Sequence, residues 1–262
     1  MLKLLGGNLA ADLLLQIRDE DTPNWLTEGE EGGEGSRFNL LIGEITRLLL
    51  AEVSDLLPLR LAHICTGVED DFDVPGRVDG YMVDVGRLCV VSIRRAGDGM
   101  LPPIQFYFRG IKCWFVDIHR DERTARPIEG IHDLPASLIG MTVLIVDPAL
   151  ATGGTLAATI QLLKAKGAEK IIFLGVLGAA SGVERIERKY TNVTLCLGGI
   201  DSVLTTHPDR NAFIYPGLGD AGDKQFGPNP HHVLPRRLDG EPVVEVVGEL
   251  PYLEPRSDPD RP

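Results

Sequence analysis

The sequence predicts an α/β fold with a mostly parallel central sheet flanked by helices on both faces. Two observations carry this. Five near-continuous apolar, β-rich runs recur between residues 87 and 200, the pattern of strands buried on both faces. Helical segments and loops separate these runs in turn, and that alternation is the signature of a parallel sheet.

Taken in order, the N-terminal stretch MLKLLGGNLAADLLLQ is apolar but broken by Gly6, Gly7, Asn8 and Asp12, so neither a signal peptide nor a membrane span is expected. Residues 28–36 (EGEEGGEGS) are acidic and Gly-rich with nothing to pack, and read as a mobile loop. Residues 38–57 place apolar side chains at helical spacing, and Pro58 closes that helix. Residues 67–80 are acidic and punctuated by Gly and Pro, a second loop or a hairpin tip. Strands are predicted at 87–93, 111–119, 142–147, 170–178 and 193–200, with helices at 155–167 and 182–190. The Pro-rich residues 228–262 read as an extended tail. The expectation is one domain over 1–262 with its core at about 38–227.

With 262 residues the chain is long enough to bury a full core. Its net charge of -12 and pI of about 4.9 argue against a nucleic-acid surface, which needs a concentrated cationic face. Cys65, Cys89, Cys113 and Cys196 show no metal-ligand or disulfide spacing, which points to a reducing cytoplasm. The six histidines have no ligand spacing either, and His231-His232 reads as solvated.

The most informative segment is TVLIVDPALATGGTLAATIQLLKAKG. A buried strand ends in Asp147, and Ala151-Thr152-Gly153-Gly154-Thr155 opens a helix. Adjacent glycines let the backbone curl so that successive N–H groups converge on one anion. The helix N-terminus adds donors and a favourable dipole, and Thr152 and Thr155 add hydroxyls. The alternative is an ordinary strand-to-helix turn capped by Thr155. No Gly-Lys-Thr or GxGxxG follows, so this is neither a Walker loop nor a dinucleotide turn.

Asp147-Pro148 followed by Ala149, Leu150 and ATGGT resembles the PRPP (5-phosphoribosyl 1-diphosphate) motif of type I phosphoribosyltransferases, in the DPxLATGG[ST] form of uracil phosphoribosyltransferases. Three further segments match that family in order. SIRRAGDGM (92–100) resembles its LRAGLGM pyrophosphate loop and aligns Arg95. HRDERTARP (119–127) resembles its flexible YRxExT loop and aligns Arg120. FIYPGLGDAGDKQFG (213–227) resembles its base loop.

The resemblance implies a type I phosphoribosyltransferase-like fold with a small base-binding hood, and the reaction uracil + PRPP → UMP + pyrophosphate. It assigns PRPP to Arg95, Arg120, residues 147–155 and Asp220, and uracil to Ile214, Gly219, Asp220 and Ala221. Arg95, Arg120, Asp147 and Asp220 carry the catalytic roles. It also implies Mg²⁺ held mainly through PRPP, and a homo-oligomer. The chain departs from the family at Arg94 (usually Leu), Asp98 (usually apolar), Phe213 (usually Tyr) and Lys224 (usually Arg), and the stretch around IRDEDT is acidic. These departures leave open another base, or a non-catalytic PRPP-binding regulator.

Overall fold

The computed structural model describes residues 1–19, 37–70, 72–120, 127–128, 133–206 and 212–227. The expected acidic loop at 28–36 and the tail at 228–262 lie outside them.

The chain opens with a short strand, β1 (Leu2–Leu4), and helix α1 (Asn8–Arg18). Ala10, Leu13, Leu14 and Ile17 recur at three- and four-residue spacing and pack α1 inward. Helix α2 (Arg37–Glu52) buries Phe38, Leu41, Ile42, Ile45, Thr46, Leu49 and Leu50 on one stripe. A single 3₁₀ turn at Ser54–Leu56 follows α2, so the helix ends earlier than the periodicity predicts and Pro58 closes the turn instead. Strands β2 (Leu59–Glu69) and β3 (Pro75–Val83) then form an antiparallel hairpin.

The sheet is built from β4 (Leu88–Ile93), β5 (Lys112–Val116), β8 (Thr142–Val146), β10 (Lys170–Ala179) and β11 (Val193–Asp201). Their order is β1-β11-β10-β8-β4-β5, parallel throughout, with the two-residue β9 (Ala149–Leu150) added alongside β10. Between β5 and β8 lies a small hairpin of β6 (His119–Arg120) and β7 (Pro127–Ile128).

Alternate residues of each strand face opposite layers. Val90, Leu144, Val146, Ile172 and Leu174 pack under α1, α2 and α3 (Leu101–Tyr107). Val91, Val143, Ile145, Ile171 and Phe173 pack under α4 (Gly154–Ala165) and α5 (Ala180–Lys189). Ile145 is fully buried, so Ile145→Ala costs about 2–5 kcal/mol.

The strand order creates a switch point. From β4 the chain crosses through α3 to β5 on one side. From β8 it crosses through α4 and α5 to β10 and β11 on the other. The loops leaving the carboxyl ends of β4 and β8 therefore diverge and leave a crevice between them, where ligands bind in open α/β sheets.

Candidate active site

The loop after β8 is held from behind. Val176 and Leu177 donate to the Pro148 carbonyl at 3.0 and 2.9 Å, tying the loop to β10. Gly182 on α5 lies so close that a Cβ there would sit 2.0 Å from the Ala151 carbonyl oxygen. Only glycine lets α5 approach this way. Arg185 adds a bond from α5 to the Thr152 carbonyl at 3.2 Å.

Helix α4 starts at Gly154, with Gly153 as its left-handed cap (φ 73°) and no side-chain cap. Thr155 is therefore inside the helix, and the alternative in which its hydroxyl caps the turn is not what the chain does. Thr152 Oγ1 accepts from the Gly154 N–H at 3.4 Å, and the first-turn N–H groups face the loop, the arrangement that binds a phosphate.

Asp147 closes β8 and is half-buried. Burial pushes its carboxyl up to about 7; the bond from the Ala149 N–H (3.2 Å) opposes the rise, and the Asp220 carboxylate adds to it. The structure thus brings together two acids 73 positions apart in sequence.

The β4 loop packs directly on β8. A Cβ on Gly97 would lie 2.3 Å from the Val146 carbonyl oxygen. Asp98, which would repel a diphosphate if free, is engaged: Ser92 Oγ donates to Oδ1 at 2.7 Å and Arg94 Nε to Oδ2 at 3.2 Å. Arg94 also stacks over Phe115. The guanidinium of Arg95 turns to the base loop, pairing with Asp223 and donating to the Gly227 carbonyl at 3.2 Å. Arg120 lies in the β6–β7 hairpin opposite Pro127; its side chain and residues 121–126 lie outside the described residues.

The base loop is part helix, a correction to the expectation of a Gly-rich loop throughout. Strand β13 (Ile214–Tyr215) pairs with β12 (Val203–Leu204), and α6 runs Ala221–Phe226. Asp220 caps α6 by accepting from the Asp223 N–H at 2.9 Å. The turn at Gly217 (φ 65°) is anchored by groups that the sequence reading had not singled out. Asp201 accepts from its N–H at 2.9 Å, and Arg18 donates to its carbonyl at 3.0 Å. Arg18 and Asp201 also form a two-pronged ion pair of 2.7 and 2.9 Å. Burial works against ionised Asp201, but the Arg18 bond and the Gly217 N–H outweigh it and hold the carboxyl below its usual value.

These three loops enclose one cavity of about 270 Å³, where Ala96 meets Ala149 and Ala151 and the other wall is Ile214, Gly219, Asp220 and Ala221. Drug-sized ligands use about 300–1,000 Å³, so the space suits a small flat ring. Its small side chains leave backbone groups open to a ligand.

Comparison with known proteins agrees with this geometry. A family model described as uracil phosphoribosyltransferase matches residues 8–228. A uracil phosphoribosyltransferase of Roseiflexus sp. (strain RS-1) is 35% identical over 195 residues, covering 74% of this chain and 88% of that protein. One from Clostridioides difficile is 32% identical over 203 residues, covering 77% and 92%. Among solved structures, the AQ2163 protein from Aquifex aeolicus aligns with a TM-score of 0.72 at 25% identity, over 87% of this chain and 98% of that one.

Proposed function

The chain belongs to the uracil phosphoribosyltransferase family, and on that premise we propose that it catalyses uracil + PRPP → UMP + pyrophosphate. The observation that carries the reading is the shared cavity: the β8 loop, the β4 loop and the base loop form one wall-to-wall space. A transfer between two bound substrates needs this arrangement, because orientation supplies most of the rate.

In this reading residues 151–155 hold the 5-phosphate on the first-turn N–H groups of α4, and Asp147 accepts hydrogen bonds from the ribose hydroxyls. Uracil lies against the backbone at Ile214, Gly219 and Ala221. Its N1 attacks C1 of the ribosyl group as the bond to the diphosphate oxygen breaks, and the N1 proton leaves to solvent. Arg95 and Arg120 offset charge on the departing pyrophosphate. The Asp220 carboxylate acts on Asp147 electrostatically. Mg²⁺ would come in mainly on PRPP, where it would neutralise the diphosphate.

A second copy of this chain is the partner we assign. The β2–β3 hairpin exposes Leu59, Leu61, Val68, Phe72 and Tyr81, an apolar surface that an isolated subunit rarely leaves open. The cytoplasm is the compartment consistent with four unpaired cysteines. Among the described residues no helix is long and apolar enough to cross a membrane.

The test is direct. Purified protein with PRPP, Mg²⁺ and a panel of bases is followed by pyrophosphate release. UMP from uracil alone is the expected result; turnover only with another base, or none with any base, overturns the proposal.

A further inference from the structure

Gln225 on α6 joins two of the loops that bound the cavity, and we propose that it is a positioning residue that fixes the diphosphate loop of 94–99 against the base loop. The proposal rests on the reading of those loops given above. The side chain is 3% exposed. Its Nε2 donates to the Ala96 carbonyl at 2.9 Å and to the Ala221 carbonyl at 2.8 Å. Ala96 follows Arg95, and Ala221 lines the cavity. One amide nitrogen thus bridges the two substrate loops.

The other end of the amide is as specific. Oε1 is buried without a hydrogen-bond partner and seats against Gly99. A Cβ on Gly99 would lie 1.6 Å from Oε1 and 2.8 Å from Cδ. Gly99 is not one of the positive-φ glycines, so the contact, and not the backbone conformation, excludes a side chain there. An apolar residue of similar size would fill the notch without burying an unpaired oxygen. Packing alone does not account for a glutamine, whereas the two carbonyl bonds do. Arg95 grips the same helix through Asp223 and the Gly227 carbonyl. Without Gln225 the 95–99 segment keeps its Ser92–Asp98 anchor to β4 but is bonded to α6 through Arg95 alone among the described residues, so it shifts relative to the diphosphate, while α6 keeps its Asp220 cap and the base wall stays in place.

The test uses the full chain. Gln225→Leu keeps the volume and removes both donors. The expected result is a KM for PRPP raised about 10-fold with the KM for uracil within about twofold, since small misplacements of binding groups carry penalties of this order or larger. Calorimetric binding of Mg²⁺-pyrophosphate is measured in parallel, because it reads the loop whether or not uracil is the base. A wild type that binds pyrophosphate but makes no UMP rejects the activity and leaves the loop test intact. Gly99→Ala should weaken pyrophosphate binding by a similar factor. The double variant Gly99→Ala/Gln225→Ala should be no worse than Gln225→Ala alone, because truncation vacates the notch. Equal pyrophosphate affinity in wild type and Gln225→Leu overturns the proposal. So does a parallel rise in both KM values, a harmless Gly99→Ala, or a wild type that binds no pyrophosphate.

Discussion

Burial pushes the Asp147 carboxyl well above its usual range, and Asp147→Asn gives a prediction with a sign. Its carboxyl titrates at about 7 in the folded chain against 3.8 for an unperturbed group. The difference of 7 − 3.8 is about three units, or roughly 4 kcal/mol at 1.36 kcal/mol per unit. The side chain keeps part of its contact with water, and solvent reduces the cost, so about 2 kcal/mol is the working figure. Between pH 3.8 and about 7 the folded state holds a proton that the unfolded state has released. Stability therefore falls as pH rises through this window, and the full cost is present above it.

Asparagine never ionises and removes that cost. In the absence of substrate, Asp147→Asn should be more stable than wild type by about 2 kcal/mol at pH 8, with the gap closing towards pH 4. Urea unfolding midpoints at several pH values measure this directly. The same variant should lose PRPP turnover, because in the proposed site the carboxylate is the acceptor for the ribose hydroxyls. A stability gap that does not change with pH would refute the reasoning on burial. An unaffected rate would refute the site assignment.

Other perturbations separate the loops. Asp201→Asn leaves Arg18 half-buried beside a neutral partner and should cost about 2–3 kcal/mol at neutral pH, read by urea unfolding. Because the Asp201 carboxyl is held below its usual value, this contribution is present above the usual carboxylate range and fades as acid protonates the folded pair; a gap that persists undiminished in strong acid would contradict it. Gly182→Ala drives a methyl into the Ala151 carbonyl, so the KM for PRPP should rise at least about 10-fold while the KM for uracil holds; steady-state kinetics with each substrate varied in turn decide it. Leu61 and Tyr81 face each other across the hairpin, and replacing both with Lys should shift the light-scattering mass towards the monomer. An unchanged mass would exclude this face as the contact between copies.

The five central strands were legible because each is apolar on both faces, and four of them end close to the predicted bounds (142–147 expected, Thr142–Val146 found); the expected strand 111–119 instead stops at Val116, and His119 starts the antiparallel β6. β1 was not legible. Its three residues have no periodicity, and it is recognisable only through its pairing with β11. The hairpin was seen only at its acidic tip, because β2 and β3 expose most side chains on both faces and so lack the alternation that marks a half-buried strand. α6 escaped because it is only six residues long and directly follows the Gly-rich run at 217–222, too little pattern to outweigh a turn reading.

The site divides along the same physical line. What one loop does with its own backbone can be read locally: a strand end, two glycines and a helix start define an anion site without reference to the rest of the chain. What holds the loops relative to each other cannot. Arg18 meets Asp201 across 183 positions, Arg95 meets Asp223 across 128, and Gln225 meets Ala96 across 129. None of these partners is adjacent in any local pattern: the pairing of β1 with β11 brings Arg18 to Asp201, and α6 lying on the loop after β4 brings Asp223 and Gln225 to Arg95 and Ala96. That second contact has a chemical consequence for Arg95. The residue matched to the diphosphate is paired with an acid of the base loop, so in the proposed site a diphosphate and Asp223 would compete for one guanidinium, which would link diphosphate binding to α6. Asp223→Asn should tighten Mg²⁺-pyrophosphate binding several-fold by freeing Arg95, since a charge-assisted pair no longer has to be exchanged. Calorimetry on the two proteins reads it, and weaker binding in the variant would mean that Asp223 orients Arg95 for the ligand instead of competing with it.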